Sequence, residues 1–302
     1  MIDNVSVVIP CFNEAGTIAG IIETLLKINN KWEIIVVDDG STDKSPEILN
    51  QYEVKVIRNP YNLGYGTSLK KGIIEASRDY IVLMDGDGQH NPSDIPKLLE
   101  YIDKYDMVVG ARVNNSSLSK VRSISNYFLK LLAEFLTKQK IKDLTSGFRA
   151  FKRASVLPLL PLSPPRFSFS TTLTVCMIKS SMVIKYVDLE TIVNRKHGKS
   201  SINLFFDGMR FINIMIKIIM LFSPQAIFLP FGIAGLAVSL VLTIYQLVNH
   251  WKFSPNVGIF YLASIFTILL GLIAEQITNL RFELIEVSRE KNRSENYKTT
   301  AS

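Results

Sequence analysis

Tyr80-Ile81-Val82-Leu83-Met84-Asp85-Gly86-Asp87-Gly88-Gln89-His90 is the stretch whose reading decides the fold of this chain. An apolar run of strand length stops abruptly at two carboxylates one residue apart. On an extended chain, residues i and i+2 point the same way, so Asp85 and Asp87 converge on one small target. The glycines between them let the backbone turn sharply and approach a ligand closely. Paired carboxylates repel each other unless a cation, a shared proton or a donor-rich ligand compensates. At the carboxyl end of a strand in an α/β sheet, this arrangement points to a divalent metal holding a phosphorylated ligand. The plainer alternative is a turn carrying solvated acids.

Working outward, the amino-terminal part alternates short β-branched runs with helical patterns. Strands are expected at Val5 to Pro10, Glu33 to Val37, Val54 to Arg58, Tyr80 to Met84 and Met107 to Gly110. Helices are expected at Ala15 to Lys27, Lys44 to Gln51, Gly64 to Ser77 and Pro92 to Lys104, the last capped by Asn91. This alternation predicts an α/β fold with a doubly wound, mostly parallel sheet, whose ligands collect outside the carboxyl ends of the strands. Polar segments fall at those ends: Pro10 to Glu14, Asp38 to Ser41, Asn59 to Gly66 and Asp85 to His90.

Beyond Lys120 the pattern turns helical, with an amphipathic segment at Val121 to Lys138. A Pro-rich loop is expected at Pro158 to Pro165, a helix at Phe169 to Lys179, a strand at Val183 to Asp188 and a basic polar loop at Asn194 to Ser201. Of the 302 residues 47% are hydrophobic, enough to require a search for membrane segments. Ala226 to Val248 and Val257 to Ala274 carry no charge, and each matches a hydrocarbon core roughly 30 Å thick. Ile202 to Phe222 is apolar but holds Asp207, Arg210 and Lys217, which favours a helix lying in the membrane interface. The tail after Ser288 reads as disordered.

The net charge of +7 belongs to this membrane part rather than to a nucleic-acid surface. Lys196, Lys199, Arg210 and Lys217 precede the first span, and Arg281, Arg289, Lys291, Arg293 and Lys298 follow the second. Only Lys252 lies in the link between them, so the positive-inside rule places both long ends in the cytoplasm of a multi-pass cell-membrane protein. Met1-Ile2-Asp3-Asn4 leads straight into a strand pattern, and no cleavable leader is expected. Cys11 and Cys176 form neither a disulfide framework nor a zinc pattern.

Val7-Val8-Ile9-Pro10-Cys11-Phe12-Asn13-Glu14, Val37-Asp38-Asp39-Gly40-Ser41, Asp85-Gly86-Asp87-Gly88-Gln89 and Thr145-Ser146-Gly147-Phe148-Arg149 occur in that order. Together they resemble a family 2 glycosyltransferase, and within it the dolichyl-phosphate mannose/glucose synthase-like branch. The resemblance covers roughly residues 5 to 205, and loosely the carboxyl-terminal hairpin. It implies a GT-A type nucleotide-sugar-binding domain, with Pro10, Asn13 and Glu14 lining the nucleotide pocket and Asp38 or Asp39 accepting from base or ribose. It further implies that Asp85 and Asp87, with Gln89 as a third oxygen ligand, serve the sugar donor's diphosphate through Mg²⁺ or Mn²⁺. Hard oxygen donors suit those cations. His90 is expected to face solvent. Gly64-Tyr65-Gly66 is not a dinucleotide fingerprint, since it lacks the third glycine.

A hydroxyl acceptor needs a general base, whereas a phosphate monoester is already anionic and needs cations to hold it. Arg112, Arg122, Arg195 and Lys199 could supply them, because guanidinium forks match phosphate oxygens. The resemblance implies the same use of arginines for a polyprenyl phosphate, with Ser125 or Asn126 adding a hydrogen bond. It also places Ser146, Gly147, Arg149 and the upstream Asp143 at the sugar and acceptor pocket. Glu275, near one end of the second span, reads equally as a functional contact or a snorkelling acid.

The resulting expectation is a catalytic domain over residues 1–201, an interfacial helix over 202–223, a two-span hairpin over 224–281 and a cytoplasmic tail over 282–302. Its activity would be inverting transfer of one sugar from a nucleoside-diphosphate sugar to a polyprenyl phosphate, at the cytoplasmic membrane face. No nucleic acid is expected as a partner, and homo-oligomerisation is left open. Two alternatives stand: a family 2 transferase with a hydroxyl acceptor, and a non-catalytic membrane scaffold.

Overall fold

Val5–Cys11 forms β1 and is buried over nearly its whole length, as a run with no polar face must be. It lies mid-sheet in a computed structural model of the chain, which describes residues 2–112, 120–164, 169–189, 204–250 and 255–300 and omits the side chains of 120–125, 204–211, 250 and 288–300. The other strands are β2 (Glu33–Asp38), β3 (Lys55–Arg58), β4 (Tyr80–Leu83), β5 (Met107–Arg112), β6 (Arg149–Lys152) and β7 (Ile184–Leu189). Their order is β3-β2-β1-β4-β6-β5-β7. β1 pairs in parallel with β2 and β4, β2 with β3, and β5 with β7. The chain winds from β1 one way to β3, then returns to β4 on the other side of β1. That reversal makes a topological switch point at the carboxyl ends of β1 and β4, and Asp85 follows the second of these strands.

β6 is the strand the sequence reading missed. Arg-Ala-Phe-Lys contains no β-branched residue, so its local propensity for a strand is weak. It forms because β4 and β5 both present open edges, and it runs antiparallel to each, with Ala150 opposite Val82 and Val108. Its start therefore lies at the sheet edge where β4 ends.

Helices α1 (Ile18–Ile28), α2 (Ser45–Leu49), α3 (Tyr65–Glu75) and α4 (Ile95–Leu99) connect the first five strands. α1 buries Ile18, Ile21, Ile22 and Leu25, a single face at helical spacing. Each such side chain contributes roughly 1.5–3 kcal/mol relative to exposure. The expected long helix from Pro92 is instead a 3₁₀ turn over Pro92–Asp94 followed by the short α4, and Asn91 caps it by accepting from Ser93 N (3.0 Å). Then come α5 (Lys120–Thr137), α6 (Arg153–Val156) and α7 (Phe169–Lys179). The Pro-rich segment is not a loop at its start but a 3₁₀ helix over Leu157–Leu162, with Leu159 and Leu160 buried. Prolines fit this short helix, whose burial of leucines outweighs the donors they lack.

The carboxyl-terminal part holds α8 (Leu204–Phe222), α9 (Gln225–His250) and α10 (Pro255–Thr300). Two of these are long and apolar enough to cross a membrane, over Gln225–Asn249 and Pro255–Val287. They expose large apolar side chains such as Phe231, Val241, Leu262 and Leu284. Small residues let the pair pack closely: a Cβ on Gly235 would lie 2.3 Å from Ser264 Oγ. Glu275 Oε2 accepts from Gln225 N (3.2 Å), joining the two helices. α10 continues to Thr300, contrary to the expected disordered tail. The sequence after Gly271 contains no Gly or Pro to break it. By contact the chain divides into Met1–Ile202 with Val287–Ser302, and Asn203–Glu286.

Candidate active site

The four polar strand ends assemble along one edge of the sheet, but they are not equivalent. At the end of β1, Asn13 adopts φ +58° and its Oδ1 accepts from Thr42 N (2.8 Å) and Asp43 N (3.3 Å). Asn13 N donates to Ser41 Oγ and Glu14 N to Ser45 Oγ, both at 3.0 Å. Asn13 and Glu14 thus stitch the loop after β1 to the loop after β2, while Pro10 is half-buried at the strand end. Burial pushes the neighbouring Cys11 thiol up to about 12, leaving it protonated and inert.

Asp38 and Asp39 are both buried at the end of β2. Asp38 Oδ1 accepts from Ser41 N (2.9 Å). Asp39 accepts from Asn59 Nδ2 (2.7 Å), Leu63 N (2.9 Å) and Gly64 N (2.9 Å). Lys71 Nζ donates in turn to Asn59 Oδ1 (2.6 Å). Asp39 is therefore the anchor of the loop after β3, and Asp38 is the member of the pair with the smaller internal commitment.

At the end of β4, Asp85 keeps a side chain 25% exposed. Its Oδ1 accepts from the Tyr65 hydroxyl (2.7 Å). Burial first, and then the charge and hydrogen bond of Asp85, push the Tyr65 phenol well above its usual range, so it remains a donor. Gly147 lies directly against Asp85: a Cβ there would come 2.3 Å from Oδ2. Only glycine leaves room for the carboxylate. Asp87 Oδ1 accepts from Gln89 N (3.1 Å), and Thr17 Oγ1 donates to Gly86 O (2.6 Å), fastening the turn to the start of α1.

His90 does not face solvent. Its side chain is 7% exposed and stacks on Phe148 at 5.2 Å between centroids. Its Nδ1 is buried without a hydrogen-bond partner, 4.0 Å from Asp85 Oδ2. The stacking partner lies far along the chain, which is why the local reading failed.

Arg149 is wholly buried at the start of β6. It donates to Ser146 O, to Ser170 O (3.1 Å) and to Thr174 Oγ1 (3.1 Å), clamping the 143–148 turn onto α7. Ser146 Oγ donates to Gly110 O (2.7 Å), so this hydroxyl supports the same turn. Arg112, at the end of β5, is paired with Asp143 (Nε to Oδ2 3.0 Å) and donates to Thr145 Oγ1 (2.8 Å). Asp143 also accepts from Thr145 N and Ser146 N, both at 3.1 Å. Burial would raise its carboxyl, but the Arg112 hydrogen bond and charge and the backbone donors outweigh that and hold it below the usual range. Arg122 and Ser125 lie in α5 with their side chains outside those described, and Arg195 and Lys199 lie outside the described residues.

Among the described residues, no three His, Cys, Asp or Glu side chains gather to hold a metal. The donor set expected from sequence is two carboxylates and an amide. That set fits a hard divalent cation which draws its other ligands from a diphosphate and water. The partnerless His90 nitrogen beside Asp85 Oδ2 marks a polar centre whose hydrogen bonding is incomplete.

A mixed sheet in this order, with acids following the strands on either side of the switch point, defines a GT-A-like fold. The glucosyl-3-phosphoglycerate synthase of Mycobacterium tuberculosis, solved with Mn²⁺, uridine diphosphate and phosphoglyceric acid, superposes with TM-score 0.58 at 20% identity, covering 72% of this chain and 77% of that one. The chain belongs to glycosyl transferase family 2, whose model matches residues 6–158, and it is a glycosyltransferase. Residues 223–280 match the GtrB C-terminal hairpin. An undecaprenyl-phosphate 4-deoxy-4-formamido-L-arabinose transferase of Pectobacterium atrosepticum is 35% identical over 53% of this chain and 52% of its own length. The dolichyl-phosphate beta-glucosyltransferase of Saccharomyces cerevisiae is 28% identical over 61% of this chain and 65% of its own. The matched region thus spans about half of the first of these relatives and just under two thirds of the second.

Proposed function

We propose that the enzyme transfers one sugar, with inversion, from a nucleoside-diphosphate sugar to the phosphate of a polyprenyl phosphate at the cytoplasmic face of a membrane. The state of Asp143 carries this reading. It is the acid that the resemblance puts beside the acceptor pocket, yet its oxygens are engaged by Arg112, Thr145 and Ser146 and its proton affinity is lowered. A hydroxyl acceptor would need such a base, and an anionic phosphate oxygen does not. The names of the two relatives support the same acceptor, since they share a polyprenyl phosphate and differ in sugar.

In this reading Pro10, Asn13, Glu14 and Asp38 shape the nucleotide pocket, while Asp39 holds its wall. Asp85, Asp87 and Gln89 would hold Mg²⁺ or Mn²⁺, which when bound neutralises charge on the departing diphosphate. Arg122, Arg195 and Lys199 hold the acceptor phosphate; Arg112 contributes from within its ion pair, and Ser125 adds a hydrogen bond. The acceptor oxygen forms its bond to the anomeric carbon on the face opposite the leaving group. The bond to the diphosphate breaks, and the nucleoside diphosphate departs with the electron pair. The hairpin keeps the enzyme at the bilayer, and the basic residues flanking it orient both ends toward the cytoplasm.

The test offers membranes containing the enzyme a panel of labelled nucleotide-sugars, followed by organic extraction. Label from one donor should enter the lipid fraction and require the enzyme. Label appearing only in water-soluble glycan would refute the acceptor assignment.

A further inference from the structure

Gly64-Tyr65-Gly66 failed as a dinucleotide motif, and the reaction outlined above gives it no role. We propose that Tyr65 is the positioning residue for Asp85, fixing the carboxylate so that its second oxygen is presented to the cation and diphosphate of the sugar donor. This rests on the donor and metal reading of the site.

The geometry is specific. Tyr65 is the first residue of α3, and its hydroxyl reaches twenty positions along the chain to Asp85 Oδ1 at 2.7 Å. The tyrosine is held from behind. Gly64 takes φ +102°, a conformation other residues rarely adopt, and its N–H donates to Asp39 Oδ2 (2.9 Å). Gly64 O then accepts from Thr67 N (2.9 Å) and Ser68 N (3.2 Å), starting the helix. One short motif therefore ties the buried acid at the end of β2 to the partly open acid at the end of β4. With Oδ1 occupied, rotation of Asp85 is limited on its other side by Gly147, which leaves no space for a Cβ. Among the described residues Oδ2 accepts no hydrogen bond, and His90 Nδ1, buried and without a hydrogen-bond partner, lies 4.0 Å from it. Oδ2 is thereby the oxygen left for a ligand. Residues that orient a metal-binding carboxylate typically change metal affinity by about 10- to 100-fold when removed.

A packing role for the ring predicts that Phe substitutes freely; a positioning role for the hydroxyl predicts that it does not. Tyr65→Phe removes a single atom, and Asp85 is exposed enough to take a water in its place, so the fold should persist. The experiment measures Mn²⁺ affinity by paramagnetic resonance in the full-length protein, with uridine, guanosine and thymidine diphosphates in parallel, alongside melting temperature. Y65F should weaken Mn²⁺ binding about 10-fold or more with the strongest nucleotide, at a nearly unchanged melting temperature. Y186F is the control, because it removes another buried hydroxyl, one with no hydrogen-bond partner, and should leave affinity as it was. Mn²⁺ affinity in Y65F within twofold of the parent overturns the positioning role. Absence of nucleotide-dependent Mn²⁺ binding in the parent itself overturns the underlying donor reading and this inference with it.

Discussion

Asp39 and Asp85 follow β2 and β4, the strands on either side of β1, and they differ in what surrounds them. Asp39 is buried and accepts three hydrogen bonds from the chain's own Asn59, Leu63 and Gly64. Among the described residues Asp85 accepts one, from Tyr65, and it keeps a quarter of its side chain exposed. Asp143 resembles Asp39, since its oxygens are committed to Arg112 and the following turn. A strand-end carboxylate is thus scaffolding or chemistry according to how many internal donors it satisfies. Removing a scaffold acid should cost stability, and removing a site acid should cost turnover.

The largest expected effect is at the site. Asp87→Ala should lower transfer on the order of 1,000-fold while the protein remains folded and membrane-bound, as checked by labelled-lipid assay and circular dichroism. Near-normal activity, or activity in excess chelator, would show that transfer needs neither Asp87 nor a metal. Gly147→Ala comes next, because its new Cβ must displace Asp85 Oδ2. A shift of that size should reduce turnover about 100-fold, more than it lowers melting temperature. Asp39→Ala should act the other way. Stranding the buried Asn59 amide and the Leu63 and Gly64 N–H groups costs about 3 kcal/mol, seen as a melting temperature lowered by roughly 5–10 °C.

Asp143 gives the smallest effect, and its sign follows from linkage. Its carboxyl is held below the unfolded value, so the folded state gains stability above the ordinary carboxylate range and loses it as pH falls through the folded pKa. A melting-temperature profile of the parent should therefore drop on its acid side, and Asp143→Asn should flatten that limb. An unchanged limb would show that Asp143 is not a scaffold acid.

The sheet was legible where physics is local. β1, β2, β4 and β5 are largely continuous apolar runs, and the acids that follow β2 and β4 stand out because burial of charge is costly. α7 lies where the apolar Phe169 to Lys179 pattern places it, and the two charge-free segments are α9 and part of α10. What could not be read depends on partners distant in sequence. β6 exists because two edges await it, not because Arg-Ala-Phe-Lys favours a strand. His90 looked solvent-facing until Phe148 stacked on it, and nothing near Tyr65 indicates that its hydroxyl ends on Asp85. Asp38 and Asp39 are neighbours of identical type, and only the loop after β3 separates their roles.

An anionic acceptor needs no base, and the proposed transfer depends on that. The most direct measurement supplies the purified full-length enzyme with its labelled nucleotide-sugar, Mn²⁺, and either a polyprenyl phosphate or the parent polyprenol of the same chain length. A labelled lipid is expected from the phosphate and background label from the alcohol. Glycosylation of the alcohol at a comparable rate would contradict the proposed transfer.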